Sequence, residues 1–177
     1  MSRQTPSQTV GPYFAYGLVP EQYGFDLKSA FPQRLIEPDD PAPRVTLTGL
    51  VLDGDGAPIH DALLEFWLEE RGGTPKVCRV GTGTDPQFRY TVDLPRREAR
   101  DGDAPHVDII VTARGMLLHA VTRVYFADEQ QANAADATLQ AVPGPRRHTL
   151  IATSTGPQHY RFDIRLQGED ETVFFAL

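Results

Sequence analysis

The chain has 177 residues, 40% of them hydrophobic and 23% charged, enough for one well-filled core. Its net charge of −7 leaves no electrostatic footprint for nucleic acid. The single cysteine, Cys78, excludes an internal disulfide. With no charged-then-apolar leader and no run of about 20 apolar residues to span a bilayer, the expectation is a cytoplasmic protein without a membrane partner.

The first forty-odd residues are punctuated by Pro6, Gly11, Pro12, Gly17, Pro20 and Gly24, spaced against any regular element. Yet they carry Tyr13, Phe14, Tyr16, Tyr23, Phe25 and Phe31, too many aromatics for a solvated linker. Such an arm packs against something, either its own domain or a partner. Glu37 to Arg44, "EPDDPAPR", reads as a hinge, so one domain is expected, with an arm over 1–43 and a globular body over 44–177.

From Arg44 onward strand follows strand. "RVTLTGLVLD" ends in the turn signature "DGDG", and "ALLEFWLEE" (Ala62 to Glu70) is closed by Gly72 and Gly73. "QFRYTVDLP" alternates, with Phe88, Tyr90, Val92 and Leu94 on one face. "HVDIIVTA" and "MLLHAVTRVYF" are separated by a tight turn at Arg114-Gly115. One helix is expected over Ala127 to Val142, capped by Asp128 and stopped by Pro143. "YRFDIRLQ" then turns Tyr160, Phe162, Ile164 and Leu166 inward, and "ETVFFAL" closes the chain. About seven short strands and one short helix predict an all-β chain, a β-sandwich with an extended N-terminal arm.

Few residues advertise chemistry. His106 and Asp108 stand two apart on a strand, so both side chains leave the same face, as half of a metal site would. A distant imidazole, His148 or His159, could complete a facial triad for Fe(II); the structural alternative is a strand histidine held by a neighbouring carboxylate. Arg114, at a sheet's end, has the fork geometry of a carboxylate clamp, although a solvated turn arginine is the plainer reading. Arg161 and Arg165, interleaved with Asp163, read as a solvated or ion-paired face. The sequence has no G-x-S-x-G and no phosphate-loop or dinucleotide fingerprint.

Taken together, "TPSQTVGPYF", "GLVLDGDGAPIHDALLEFW", "APHVDIIVTARG", "TRVYFADE", "LIAT" and "YRFDIRLQGEDETVFF" resemble the intradiol ring-cleaving dioxygenases over nearly the whole chain. The resemblance implies a β-sandwich whose arm docks on a partner subunit. It also implies O2-dependent opening of 3,4-dihydroxybenzoate between its hydroxylated carbons, giving 3-carboxy-cis,cis-muconate. Catalytic chains of that family hold Fe(III) with two tyrosinates and two histidines. Where they carry H-x-H, this chain has His106-x-Asp108; where they carry tyrosines, it has "LPRREAR" and "LEERGGTPKVCRV" with none. The resemblance therefore implies a non-catalytic alpha subunit that binds no metal itself, with His106 and Asp108 as relics and the iron in a beta subunit. It further implies that Arg114 meets the substrate's carboxylate and that Thr9, Gly11, Pro12 and Tyr13 wall the pocket, with Phe14, Tyr16 and Tyr23 anchoring the interface. "VTLTGLVLDGDGAPIHDALLEFW" also looks like the opening strands of prealbumin-like binding modules, which need neither the arm nor the A-R-G turn.

Overall fold

The computed structural model describes residues 4–69, 74–99 and 102–176. Its strands are β1 (Arg44–Gly49), β2 (Val51–Leu52), β3 (Leu63–Leu68), β4 (Lys76–Gly81), β5 (Tyr90–Pro95), β6 (His106–Thr112), β7 (Ala120–Phe126), β8 (Ile151–Gly156), β9 (His159–Arg161) and β10 (Ile164–Arg165). Eight of them form one ladder in the order β4-β3-β6-β7-β8-β9-β1-β5, and β10 pairs with β2 beside it. The ladder curls so that its two halves face each other across a common core. Val45, Leu47, Val92 and Leu94 from one half meet Leu64, Phe66, Ile109 and Val111 from the other. The rings of Phe66 and Tyr90 lie 5.6 Å apart across that interior. The expected all-β architecture holds, with a nearly closed sheet in place of two separate ones.

Alternation explains the strands. In β1, Val45 and Leu47 are buried while Arg44, Thr46 and Thr48 are half-buried; in β6, Val107, Ile109 and Val111 face the core. At the end of β1, a Cβ on Gly49 would stand 1.8 Å from the Phe162 carbonyl oxygen, so only glycine permits this approach. Phe88 departs from its expected inward face. Asp85 accepts hydrogen bonds from the amides of Gln87 and Arg89, and its carbonyl from that of Phe88, a turn that holds Phe88 at φ 59° and leaves it partly exposed.

The arm folds onto its own sheet. A one-turn helix, α1 (Phe14–Leu18), and a 3₁₀ turn (Pro20–Tyr23) bury Ala15 and Val19 against Leu63. Gln22 then imitates a strand residue along the edge of β4: its side chain donates to the Arg79 carbonyl (3.1 Å) and accepts from the Gly81 amide (2.9 Å). Further on, the Pro32 carbonyl accepts from Arg79 of β4, and the Leu35 amide donates to Asp93 of β5. One segment thus bridges both free edges of the ladder and covers groups that would otherwise invite another chain. Phe14 and Tyr23 pack within this chain; Tyr13, Tyr16 and Phe25 remain exposed.

The crossover that makes β8 parallel to β7 carries two short helices, α2 (Gln130–Ala135) and α3 (Ala137–Ala141), where one was expected. Asp136 breaks them apart. Its backbone is extended, and its carboxylate accepts from the amides of Leu139 (2.8 Å) and Ala104 (3.0 Å) and from the Tyr125 hydroxyl (3.0 Å). Asp128 caps nothing; it accepts from the Tyr160 hydroxyl and from Arg96. The C-terminal "ETVFFAL" forms no strand in its described part, only an isolated bridge between Phe175 and Val121. Glu70, Gly72, Gly73 and Leu177, included in the expected elements, lie outside the described residues. Among the described residues no helix is long and apolar enough to cross a membrane.

Candidate functional site

Arg114 begins the turn that leaves β6, where Gly115 takes φ 88° and the Met116 amide returns to the Ala113 carbonyl. Its Nε donates to the Asp61 carboxylate and its Nη2 to His60 Nε2, at 3.1 Å. A guanidinium only donates, so His60 must be unprotonated at Nε2. The contact follows from register. Antiparallel β3 and β6 set Leu63 opposite Thr112, and two further residues set Asp61 opposite Arg114. Asp61 is mostly buried while the Arg114 side chain is 44% exposed, so the guanidinium is anchored from behind and open in front.

In front of it lies a cavity of about 300 Å³, walled by Pro12, Tyr13 and Tyr16 of the arm and by His60, Asp61 and Arg114. The fold therefore brings three of the expected pocket residues, Pro12, Tyr13 and Arg114, to one place. Thr9 is not part of that wall; its Oγ1 accepts from the Gly115 amide at 2.7 Å and ties the arm to the Arg114 turn. Gly11 is exposed, and its carbonyl accepts from Phe14 to start α1. His60 and Asp61 were not legible as site residues. They sit in a loop whose meaning appears only once β3 is laid against β6.

His106 and Asp108, expected as relic ligand positions, take separate partners. His106 is buried and its Nδ1 lies 2.7 Å from the Ala104 carbonyl, which fixes Nδ1 as the donor. Burial, reinforced by the charge of Arg123, holds its pKa below the usual imidazole value, so the ring is neutral. Asp108 turns instead to Arg123, its cross-strand partner on β7. Arg123 Nε donates to Oδ1 at 2.7 Å and Nη2 to Oδ2 at 3.4 Å. The pair borders an apolar cavity of about 340 Å³ with Trp67, Ile110, Val121 and Phe175.

Among the described residues, the group whose ligand atoms come within metal-binding reach of one another is Asp103, His106 and Asp136. Asp108, His148 and His159 are not in it, which removes the facial triad. His148 is exposed near Asp170, and His159 bonds the Pro157 carbonyl. Nor does the Asp103 cluster suit a metal, because both oxygens of Asp136 are already taken by amides and a hydroxyl. A ferric ion does not fit these residues: they offer one imidazole, carboxylates already held by guanidinium groups, amides and a hydroxyl, and a single phenol, Tyr125, which donates to Asp136 and whose pKa burial raises. Of the segments expected to lack ligand tyrosines, Glu70–Gly73 and Arg100 lie outside the described residues. In the basic stretches "PRREAR" and "PGPRRH", among the described residues, Arg96 pairs with Asp128 and Glu129, Arg97 with Asp103, and Arg146 with Glu171. Arg161 pairs with Asp163 at 2.8 Å, as its position suggests.

No protein-family model matches the chain. It is 50% identical over 192 residues to the protocatechuate 3,4-dioxygenase alpha chain of Burkholderia cepacia, covering 98% of this chain and 97% of that one. To the chain of the same name from Pseudomonas putida it is 39% identical over 192 residues, covering 97% and 96%. Among solved structures, the dioxygenase domain of a dioxygenase carbohydrate-binding protein fusion from Streptomyces sp. SirexAA-E aligns with a TM-score of 0.61 at 20% identity. That alignment covers 93% of this chain and 100% of the other, and it speaks for the fold alone.

Proposed function

The chain belongs to the family of protocatechuate 3,4-dioxygenase alpha chains, and from that premise we propose that it is the non-catalytic subunit of such an enzyme. In this reading the assembled enzyme opens protocatechuate (3,4-dihydroxybenzoate) with O2 between the two hydroxylated carbons, giving 3-carboxy-cis,cis-muconate. The iron belongs to a beta subunit, and this chain supplies part of the substrate pocket at the interface. The reading keeps the enzyme in the cytoplasm.

The observation that carries it is the pairing of Asp108 with Arg123. A fixed cation occupies the carboxylate that a metal would need, beside the neutral His106. The residues suited to a ligand lie elsewhere. Asp61 takes Nε of Arg114 and His60 takes Nη2, which leaves both N–H groups of Nη1 for the substrate's carboxylate. A charge-assisted hydrogen bond of this kind contributes about 1.5–3 kcal/mol. Pro12 and Tyr13 close the cavity over it, with Thr9 and Gly11 shaping the arm that carries them. The exposed rings of Tyr13, Tyr16 and Phe25 form one aromatic face, with Tyr16 within 5.8 Å of each of the other two. That face is where the beta subunit docks, and Phe14 and Tyr23 support it from within.

Purification of the chain alone, with ferric iron supplied, tests this. Ferric tyrosinate is strongly coloured, and the expected chain is colourless, iron-free and inert toward protocatechuate and O2. Colour and O2 uptake appear only with the beta subunit. Stoichiometric iron in the isolated chain contradicts the reading.

A further inference from the structure

We propose that Asp61 and His60 are positioning residues for the Arg114 guanidinium and thereby set the preference of the assembled enzyme for a catechol that bears a carboxylate. The proposal rests on the reading of Arg114 given above and deepens it.

An arginine on a glycine turn, open to solvent on one side, has four flexible torsions and no reason to hold one direction. Two contacts on the neighbouring segment remove that freedom. Asp61 holds Nε and His60 holds Nη2. Because the guanidinium is planar, anchoring two of its three nitrogens orients the third, Nη1, and fixes the plane in which its N–H groups lie. Both anchors are themselves braced. Asp61 is opposite Arg114 in the continued β3–β6 register, and its side chain is only 15% exposed. The His60 ring lies 5.9 Å from that of Phe88, the residue that the Asp85 turn holds out of β5 at φ 59°. The unusual backbone at Phe88 thus acquires a purpose: it puts a ring behind His60.

Asp61 carries a negative charge into a pocket meant for an anion, and this separates two roles. As a competitor it would weaken carboxylate binding, and its removal would tighten it. As a positioning group it strengthens binding, and its removal would loosen it. It binds Nε and leaves Nη1 free, so positioning is the role its geometry serves.

Steady-state kinetics of the assembled alpha/beta enzyme distinguish the cases, with protocatechuate as substrate and catechol, which lacks the carboxylate, as substrate or competitor. Asp61→Leu, which cannot accept from Nε, is expected to raise KM for protocatechuate about tenfold, with kcat within about twofold and catechol unmoved. His60→Gln, whose Oε1 can still accept from Nη2, is expected to stay close to the parent, whereas His60→Phe raises KM for protocatechuate alone. An unchanged or lower KM in Asp61→Leu overturns the proposal, as does an equal loss on both ligands. The His60 pair decides the matter independently: equal behaviour of Gln and Phe overturns it even where an Asp61 variant fails to assemble. Arg114→Ala serves as the control. If it too leaves KM unchanged, the fault lies with the reading of Arg114; if it alone raises KM, the fault lies with Asp61 and His60.

Discussion

Strand β6 carries two arginine–aspartate pairs, one on each flank, alike in kind and opposite in setting. On one side Asp108 of β6 faces Arg123 of β7 within the ladder; on the other, Arg114 past the end of β6 faces Asp61 ahead of β3. The first arginine side chain is 21% exposed, with Nε and Nη2 both on one carboxylate. The second is 44% exposed and lines an open cavity. An ion pair inside a ladder is a cross-strand contact that specifies register. The same pair moved two residues beyond the ladder's end leaves its guanidinium more exposed, at the wall of a cavity, which is the setting the proposed carboxylate-binding role requires.

The largest effect should come from separating the pairs by substitution. Arg123→Leu leaves Asp108 unpaired and partly desolvated, and a loss of about 2–3 kcal/mol is expected, seen as a Tm lowered by roughly 5–10 °C with KM unchanged. Arg114→Leu leaves the more buried Asp61 unpaired, so it should cost a similar amount of stability, but KM for protocatechuate should shift as well. Next comes the turn. Gly115→Ala forces a side chain into φ 88°, for a cost of about 1–2 kcal/mol in thermal unfolding, and KM for protocatechuate rises with it because Arg114 is displaced. Thr9→Val removes one exposed hydrogen bond to the same turn and should cost about 0.5 kcal/mol, with a KM rise smaller than that of Gly115→Ala.

The smallest effect is a pH dependence confined to the Arg123 side. Burial and Arg123 lower the pKa of His106 in the folded state, so the unfolded chain takes up the proton first. Stability is full above about pH 6.5, the unfolded value, and falls as acid drives the ring toward its lowered folded pKa. His106→Asn keeps a donor for the Ala104 carbonyl and should flatten that slope in melting curves taken from pH 7 downward. An undiminished slope in that variant would assign the acid sensitivity to another group.

Much of the fold is legible from alternation alone: Val45 and Leu47, Tyr90, Val92 and Leu94, and Tyr160, Phe162 and Ile164 all turn inward where their period places them. What was not legible depends on side chains acting as backbone. Gln22 takes the place of a strand neighbour along β4, Asp85 holds Phe88 out of its face, and Asp136 interrupts a helix to bind three donors at once. None of these leaves a periodic signature. The site divides the same way. Pro12, Tyr13 and Arg114 were expected through the resemblance of whole segments and line one cavity, whereas His60 and Asp61 needed the register of β3 against β6. His106 and Asp108 show the limit of period-two reasoning: a shared face does not give shared partners when each side chain has a stronger one nearby.

The most direct test of the central claim, that this chain supplies the carboxylate-binding arginine to a site whose iron lies in its partner, is KM for protocatechuate in the assembled enzyme carrying Arg114→Ala. A rise of roughly 10- to 100-fold is expected, with iron content and the affinity for catechol unchanged. An unchanged KM, or an equal loss for catechol, would contradict it.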